Sequence, residues 1–304
     1  MNQAAPAHKV RIGPAGWSYP DWEGIVYPAH KPRGFHAAEY LAQFFDTIEI
    51  NTTFYHPPAP KMARDWVRRI DHNRNFKFTA KLWQRFTHER SADRKDEKVF
   101  KECVAPLVEA GRLGALLLQF PWSFKNEKES REYLGELVVL FMEYPLVVEV
   151  RHSSWNQPEI FQLLESLGVG FCNIDQPVIG RSLGATDRAT APVGYVRLHG
   201  RNYKQWFSSG DHPEERYNYY YSLAELEPWV EKIQGIAQRT DATYVITNNH
   251  FRGKAVANGL QLVSKVSNVP VRVPETLLEH YPELENIREL ETVAAPTGES
   301  GLLF

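Results

Sequence analysis

Leu146-Val147-Val148-Glu149-Val150-Arg151-His152-Ser153-Ser154-Trp155 decides the fold. It starts as a short, β-branched apolar run, the composition of a buried strand. It ends in charge, with Glu149 and Arg151 two apart and therefore on one strand face. A strand buried on both sides can place charges cheaply only at its end. The same form recurs in Val10-Arg11-Ile12-Gly13, Ile48-Glu49-Ile50-Asn51, Phe76-Lys77-Phe78-Thr79-Ala80-Lys81 and Leu116-Leu117-Leu118-Gln119-Phe120. It returns in Phe171-Cys172-Asn173-Ile174-Asp175, Tyr195-Val196-Arg197-Leu198-His199 and Tyr244-Val245-Ile246-Thr247-Asn248-Asn249. Eight strands, each turning polar at its C-terminal end, predict an α/β chain closed as a single (β/α)8 TIM barrel with its site on one rim.

Helical spacing fills the gaps. Residues 35–45 carry Phe35, Tyr40, Leu41, Phe44 and Phe45, and Met62, Trp66 and Ile70 recur at i, i+4, i+8 after Pro60. Further helices are predicted over 93–110, 129–141, 158–167, 223–238 and 255–266, with Gly111 and Gly168 closing the first and third of these. Between Asp175 and His199 no helical period appears, so the sixth crossover is expected to be degenerate. A long insertion, 200–221, follows the seventh strand. Strands and helices alternate without a dividing linker, which places one barrel at 10–270 between a loose leader, 1–9, and a C-terminal extension from 271 that is expected to have little structure. An open doubly wound sheet is the runner-up.

With 304 residues, 43% hydrophobic and 24% charged, the composition is that of an ordinary globular chain. A formal charge of -2 gives no global drive toward nucleic acid or anionic membrane, so anion binding has to be local. The two cysteines, Cys103 and Cys172, form neither a disulfide scaffold nor a ligand spacing, which fits a reducing compartment. No membrane span and no signal-peptide core are seen, and the chain reads as cytoplasmic.

The polar residues of the strands share one phase, which points into the barrel and toward its mouth. Glu49, Glu149, Asp175 and His199 are the candidate catalytic groups, carboxylates and an imidazole suited to acid–base work. Lys81, Arg151, Arg197 and Arg201 are the candidate anion contacts, joined by Asn51, His88, Gln119, Tyr203, Asn248 and Asn249 as substrate-binding residues. That balance suits a phosphate or a carboxylate. The structural alternative is a set of paired charges filling the barrel mouth. The insertion adds Trp206, Phe207, Tyr217, Tyr219, Tyr220 and Tyr221, which read either as a stacking lid or as static packing. Zinc, manganese or magnesium would find the right ligand types in Glu49, Glu149, Asp175 and His199, but no ligand spacing, and the neighbouring cations oppose a metal. No phosphate loop, nucleophile elbow or dinucleotide fingerprint names a cofactor.

The chain resembles the YecE-like family, domain of unknown function seventy-two. The resemblance is carried by Gly16-Trp17-Ser18-Tyr19, Glu49-Ile50-Asn51-Thr52-Thr53-Phe54-Tyr55, Lys81 with Thr87-His88, and Gln119-Phe120-Pro121. It continues through Val148-Glu149-Val150-Arg151-His152-Ser153-Ser154-Trp155, Asp175-Gln176-Pro177, Tyr195-Val196-Arg197-Leu198-His199-Gly200 and Asn248-Asn249, over roughly residues 11–265. It implies a TIM barrel and brings no established reaction. A likeness of such barrels to metal-dependent abasic-site endonucleases implies DNA as a partner, yet the rich histidine and carboxylate ligand set of those nucleases is absent.

Two functions are therefore expected, in different classes: an enzyme acting on an anionic or nucleotide-containing small molecule, or a nucleic-acid-associated protein using the same mouth. The terminal Leu302-Leu303-Phe304 ends a polar, proline-containing stretch and reads as a docking peptide. It resembles the pentapeptide that binds the bacterial replication sliding clamp, with Ser300 standing where that motif has glutamine.

Overall fold

The structure, a computed structural model, describes residues 9–206 and 213–289. The docking expectation for Leu302, Leu303 and Phe304 lies outside the described residues, as do 1–8 and Phe207.

Eight parallel strands form the barrel: β1 (Val10–Pro14), β2 (Thr47–Ile50), β3 (Lys77–Lys81), β4 (Leu113–Gln119), β5 (Leu146–Glu149), β6 (Gly170–Asp175), β7 (Val193–Leu198) and β8 (Ala242–Thr247). Their hydrogen-bonded order runs β1-β8-β7-β6-β5-β4-β3-β2. The ends of that order meet through a single parallel bridge between Ala15 and Glu49, with Gly16 N donating to Glu49 O at 2.8 Å. The seam is tight because residue 13 is glycine: a Cβ there would stand 1.8 Å from Thr47 O.

The helical ring follows from the sequence periods. Helices Pro60–Arg69, Arg94–Glu109, Lys128–Phe141, Pro158–Leu167, Leu223–Gln238 and Lys254–Ser267 alternate with the strands and bury their apolar stripes against them. Local chemistry sets their ends. Asp93 caps Arg94–Glu109 by accepting from Lys95 N and Asp96 N, and Gly168 closes Pro158–Leu167 at φ 65°. No helix occupies 176–192, as the missing period predicts. Among the described residues no helix is long and apolar enough to cross a membrane.

The expectation of little structure from residue 271 onward needs correction for residues 271–289. Helix Glu275–His280 and the 3-10 turn Pro282–Ile287 fold back on the barrel, and Val271, Val273, Leu277, Tyr281 and Leu284 are buried. Tyr281 donates its hydroxyl to Arg252 O at 2.7 Å, and Thr276 donates to Val26 O at 3.2 Å. The prolines and acidic residues of this stretch lie among apolar anchors, of which Val273, Leu277, Tyr281 and Leu284 are three to four apart, a docked helical pattern that overall polarity conceals.

Candidate active site

The strand ends that turn polar meet at one mouth. Arg197, on β7, is at its centre and is 1% exposed. Its Nη1 donates to Glu149 Oε2 at 2.5 Å, and its Nη2 donates to Glu49 Oε1 at 2.8 Å, so one guanidinium ties β7 to β5 and β2. Arg151 holds the other oxygen of Glu149, with Nε 2.7 Å and Nη2 2.6 Å from Oε1, and its Nη1 reaches Gln176 Oε1 at 3.3 Å. Tyr195 Oη bonds Glu49 Oε2 at 3.0 Å and Thr79 Oγ1 at 2.8 Å. Two carboxylates and two guanidinium groups thus neutralise one another in a buried network, the arrangement that makes buried charge tolerable.

His199 lies just beyond β7 and is fully buried. Its Nδ1 is 2.9 Å from Asn248 Nδ2, which leaves Nε2 as the protonated nitrogen when the amide donates. Nε2 stands 3.3 Å from Glu149 Oε1, an ion-pair distance with poor alignment for a hydrogen bond. Burial and the neighbouring Arg151 push its pKa down to about 3, so the ring is neutral and backs the carboxylate. Burial pushes the Glu149 carboxyl up, but Arg151, Arg197 and His199 together hold it well below the usual carboxylate range.

Lys81 ends β3 on the same rim and differs from its neighbours. Among the described residues its Nζ has no hydrogen bond and no ion pair, and it sits over the Phe54 ring, 4.1 Å from the centroid. Burial, reinforced by Arg197, lowers its pKa to about 7 against the opposing pull of Glu49 and Glu149.

These groups border a cavity of about 310 Å³ that opens at the C-terminal ends of the strands. Of the candidate catalytic and substrate-binding residues, Asn51, Lys81, Gln119, Arg151, Arg197 and Asn248 line it. The others do not. Glu49 and Glu149 lie beneath its lining, engaged with the arginines, and His199 lies beside them against Asn248 and Glu149. Asp175 is paired with Arg201 at 2.9 Å, and burial raises its pKa although Arg201 opposes the rise. Asn249 bonds Tyr219 O and Asn258, while Tyr203 is 55% exposed. His88 packs edge-on to Phe54, with its pKa lowered to about 4 by burial and then by Lys81.

Sequence reasoning missed most of the aromatic wall as part of the site: Trp17, Tyr19, Tyr55 and His250 line the cavity, beside Tyr217, which the sequence offers as a stacking-lid residue. Gly16 turns at φ 77° and brings Tyr19 back over the mouth, where its ring stacks on His250 at 4.3 Å. The signal was present in Gly16-Trp17-Ser18-Tyr19, a turn carrying two large aromatics immediately after a barrel strand. The 200–221 insertion divides. Tyr217 faces the cavity, whereas Tyr221 is fully buried and Tyr219 is tied to Glu225. Its tyrosines are thus partly wall and partly packing. A second hollow of about 200 Å³ adjoins the first through Gln119, Arg151 and Tyr217, with Trp122 and Trp206 on its sides.

Among the described residues no group of three or more His, Cys, Asp or Glu stands close enough to hold a metal ion. The carboxylates that would serve as ligands already face guanidinium groups.

A model of the family described as a protein of unknown function, DUF72, matches residues 11–280. The chain belongs to the DUF72 family. UPF0759 protein YunF of Bacillus subtilis (strain 168) is 28% identical over 272 residues, covering 84% of this chain and 93% of YunF. UPF0759 protein YecE of Escherichia coli (strain K12) is 30% identical over 145 residues, 47% of this chain and 48% of YecE. Among solved structures, a DUF72 family protein of Thermotoga maritima is 33% identical with a TM-score of 0.75, over 86% of this chain and all of that one. A second DUF72 protein, from Enterococcus faecalis, has the same TM-score at 24% identity, covering 88% of this chain and 98% of its own. These relatives support the DUF72 barrel, and their names state no reaction.

The buried lysine of this DUF72 chain has a measurable consequence. Its folded pKa lies below the ordinary lysine value of about 10.4, so between roughly pH 7 and 10 the unfolded chain binds more protons and stability rises with pH. Lys81→Met is expected to remove that rise and to raise stability at neutral pH, because the methionine carries no charge to desolvate. Urea unfolding across that range checks it. Parallel stability curves for the two proteins would show that Lys81 is not desolvated.

Proposed function

We propose that this protein is an enzyme that draws a small anionic substrate, bearing a phosphate or carboxylate, into the barrel mouth and acts on it by proton transfer. One observation carries the reading: Lys81, Arg151 and Arg197 share a concave space with the amides of Asn51, Gln119 and Asn248. Cations with fixed forks recognise planar and tetrahedral anions, and a few polar groups within an aromatic wall fix orientation. The C-terminal rim is also where barrels of this kind place catalysis.

The roles divide by engagement. Arg151 is the anion contact, since its side chain keeps 15% exposure while bound to Glu149. Arg197 supplies a fixed floor, its two terminal nitrogens held by Glu49 and Glu149. Lys81 is the proton-transfer group, because a base with pKa near the working pH is the efficient one. Glu49, Glu149 and His199 act as positioning residues under this floor. Asp175 secures the loop through Arg201.

Calorimetric titration with inorganic phosphate and with malonate tests this. The wild type should bind, and Arg151→Ala should weaken binding by about ten- to a hundredfold, the range for losing a charge-assisted hydrogen bond. Absence of binding to either anion at millimolar concentration, or equal affinity in the variant, overturns the reading.

The aromatic wall supports a second reading, in which the anion belongs to a nucleotide whose base stacks on Trp17, Tyr19 or Tyr217. Binding to single-stranded, nicked or abasic DNA that falls steeply with salt would favour it, and a flat salt response would remove it.

A further inference from the structure

We infer that Lys81 is an imine-forming residue, whose amine condenses with the aldehyde or ketone carbonyl of a small anionic substrate held in the cavity. The inference rests on the reading of the cavity as a substrate site and names its reacting group. Its support is geometric. Lys81 is the last residue of β3, in register with Leu117 of β4, and its carbonyl accepts from Thr53 Oγ1 at 2.7 Å, so the main chain at its base is fixed. Lys81 is 9% exposed and lines the cavity. Its Nζ stands on the face of Phe54 and, among the described residues, has no hydrogen bond or ion pair.

The charges around it explain that isolation. Glu49 from β2, Glu149 from β5, Arg197 from β7 and Arg151 after β5 are matched to one another, which leaves no carboxylate to hold an ammonium. His88, on the segment after β3, is neutral at ordinary pH. A desolvated amine without a counter-ion favours its uncharged form, and that form has the lone pair a nucleophile needs. The burial that lowers its pKa to about 7 is consistent with this. The nearby guanidinium of Arg151 is placed to hold a carboxylate or phosphate on the same substrate.

In the condensation the nitrogen lone pair forms the N–C bond and the carbonyl π pair moves to oxygen. That oxygen leaves as one water carrying the two amine hydrogens, and a C=N bond joins Nζ to the substrate carbon. The imine nitrogen then takes one proton from solvent and draws electron density from the neighbouring carbon, which eases proton loss there.

Reductive trapping tests the inference on the full-length wild-type chain. Glyoxylate, pyruvate and uncharged glycolaldehyde are each incubated with sodium cyanoborohydride, which delivers hydride to the imine carbon, and the labelled lysines are mapped by peptide mass. At neutral pH the Lys81 peptide should acquire the reduced adduct about a hundredfold faster than surface lysines, since far more of its amine is uncharged. Glyoxylate and pyruvate should label it ahead of glycolaldehyde, and malonate should slow them. Labelling of Lys81 no faster than surface lysines overturns the inference. If that occurs while phosphate or malonate still binds in the calorimeter, the anion site stands and Lys81 acts in proton transfer alone; if neither is seen, both readings fall.

Discussion

Arg197→Ala is expected to destabilise the folded chain by about 3–5 kcal/mol at neutral pH, the range for removing one partner from a buried ion pair. The guanidinium is 1% exposed and is the link between Glu49 and Glu149, both fully buried. Among the described residues, its loss leaves the Glu49 side chain with only the Tyr195 hydroxyl and leaves Glu149 leaning on Arg151. The pH dependence has a definite sign. In the wild type the Glu149 carboxyl is held well below its usual range, so it contributes stability above that range and loses it as pH falls through the folded value. In the variant the buried Glu149 carboxylate has lost one of its two guanidinium partners and is costlier to ionise, so the penalty is largest at neutral pH and is relieved as it takes up a proton. The gap between the two proteins should therefore narrow as pH falls from about 8 to about 5. Urea unfolding at both ends of that range measures it. A neutral-pH loss below about 1 kcal/mol would mean that the network is a surface-like set of pairs rather than a buried one.

Gly13→Ala is expected to cost more than about 4 kcal/mol, enough to prevent folding of a marginally stable domain. The added methyl would lie 1.8 Å from Thr47 O, and that atom is backbone, so no side-chain rotation relieves the clash. The contact is at the seam where β1 meets β2, which is closed by the Ala15–Glu49 bridge. Pushing β1 away would also move Glu49, and with it one anchor of Arg197. Gly135→Ala is the matched control: it lies in helix Lys128–Phe141 with open space around its Cβ position, and should be neutral or stabilising by about 0.4–1 kcal/mol. Soluble yield and Tm decide the pair. A Gly13→Ala protein melting within about 2 °C of the wild type would show that the seam opens without cost.

Much of the architecture was legible one segment at a time. Val147 and Val148 followed by Glu149 and Arg151 define a strand with a polar end because side chains alternate along a strand, and that local rule needs no partner. The same holds for Pro158–Leu167 and Leu223–Gln238, whose apolar period and end residues are contained in the helix itself. His152 is a smaller instance: its ring accepts from Ser154 N and caps the turn that follows β5, a contact between residues two apart.

The site was legible as a set of residues and not as a division of labour. The inward phase brought Glu49, Glu149, Arg197 and His199 to one mouth, but alternation cannot say which of them is consumed by its neighbours. That depends on distances across the barrel. Arg197 satisfies Glu49 and Glu149 from strands far apart in sequence, and among the described residues Lys81 is left unpaired because those carboxylates already face guanidinium groups. The seam at Gly13, the return of Tyr19 over His250 and the docking of residues 271–289 are decided in the same way. The sequence alone determined the strands, the helices and the chemical types at the rim, since these follow from near neighbours along the chain. Only the tertiary structure decided which charges cancel and which amine, among the described residues, has no partner, because Coulomb and desolvation energies depend on separation and burial in space.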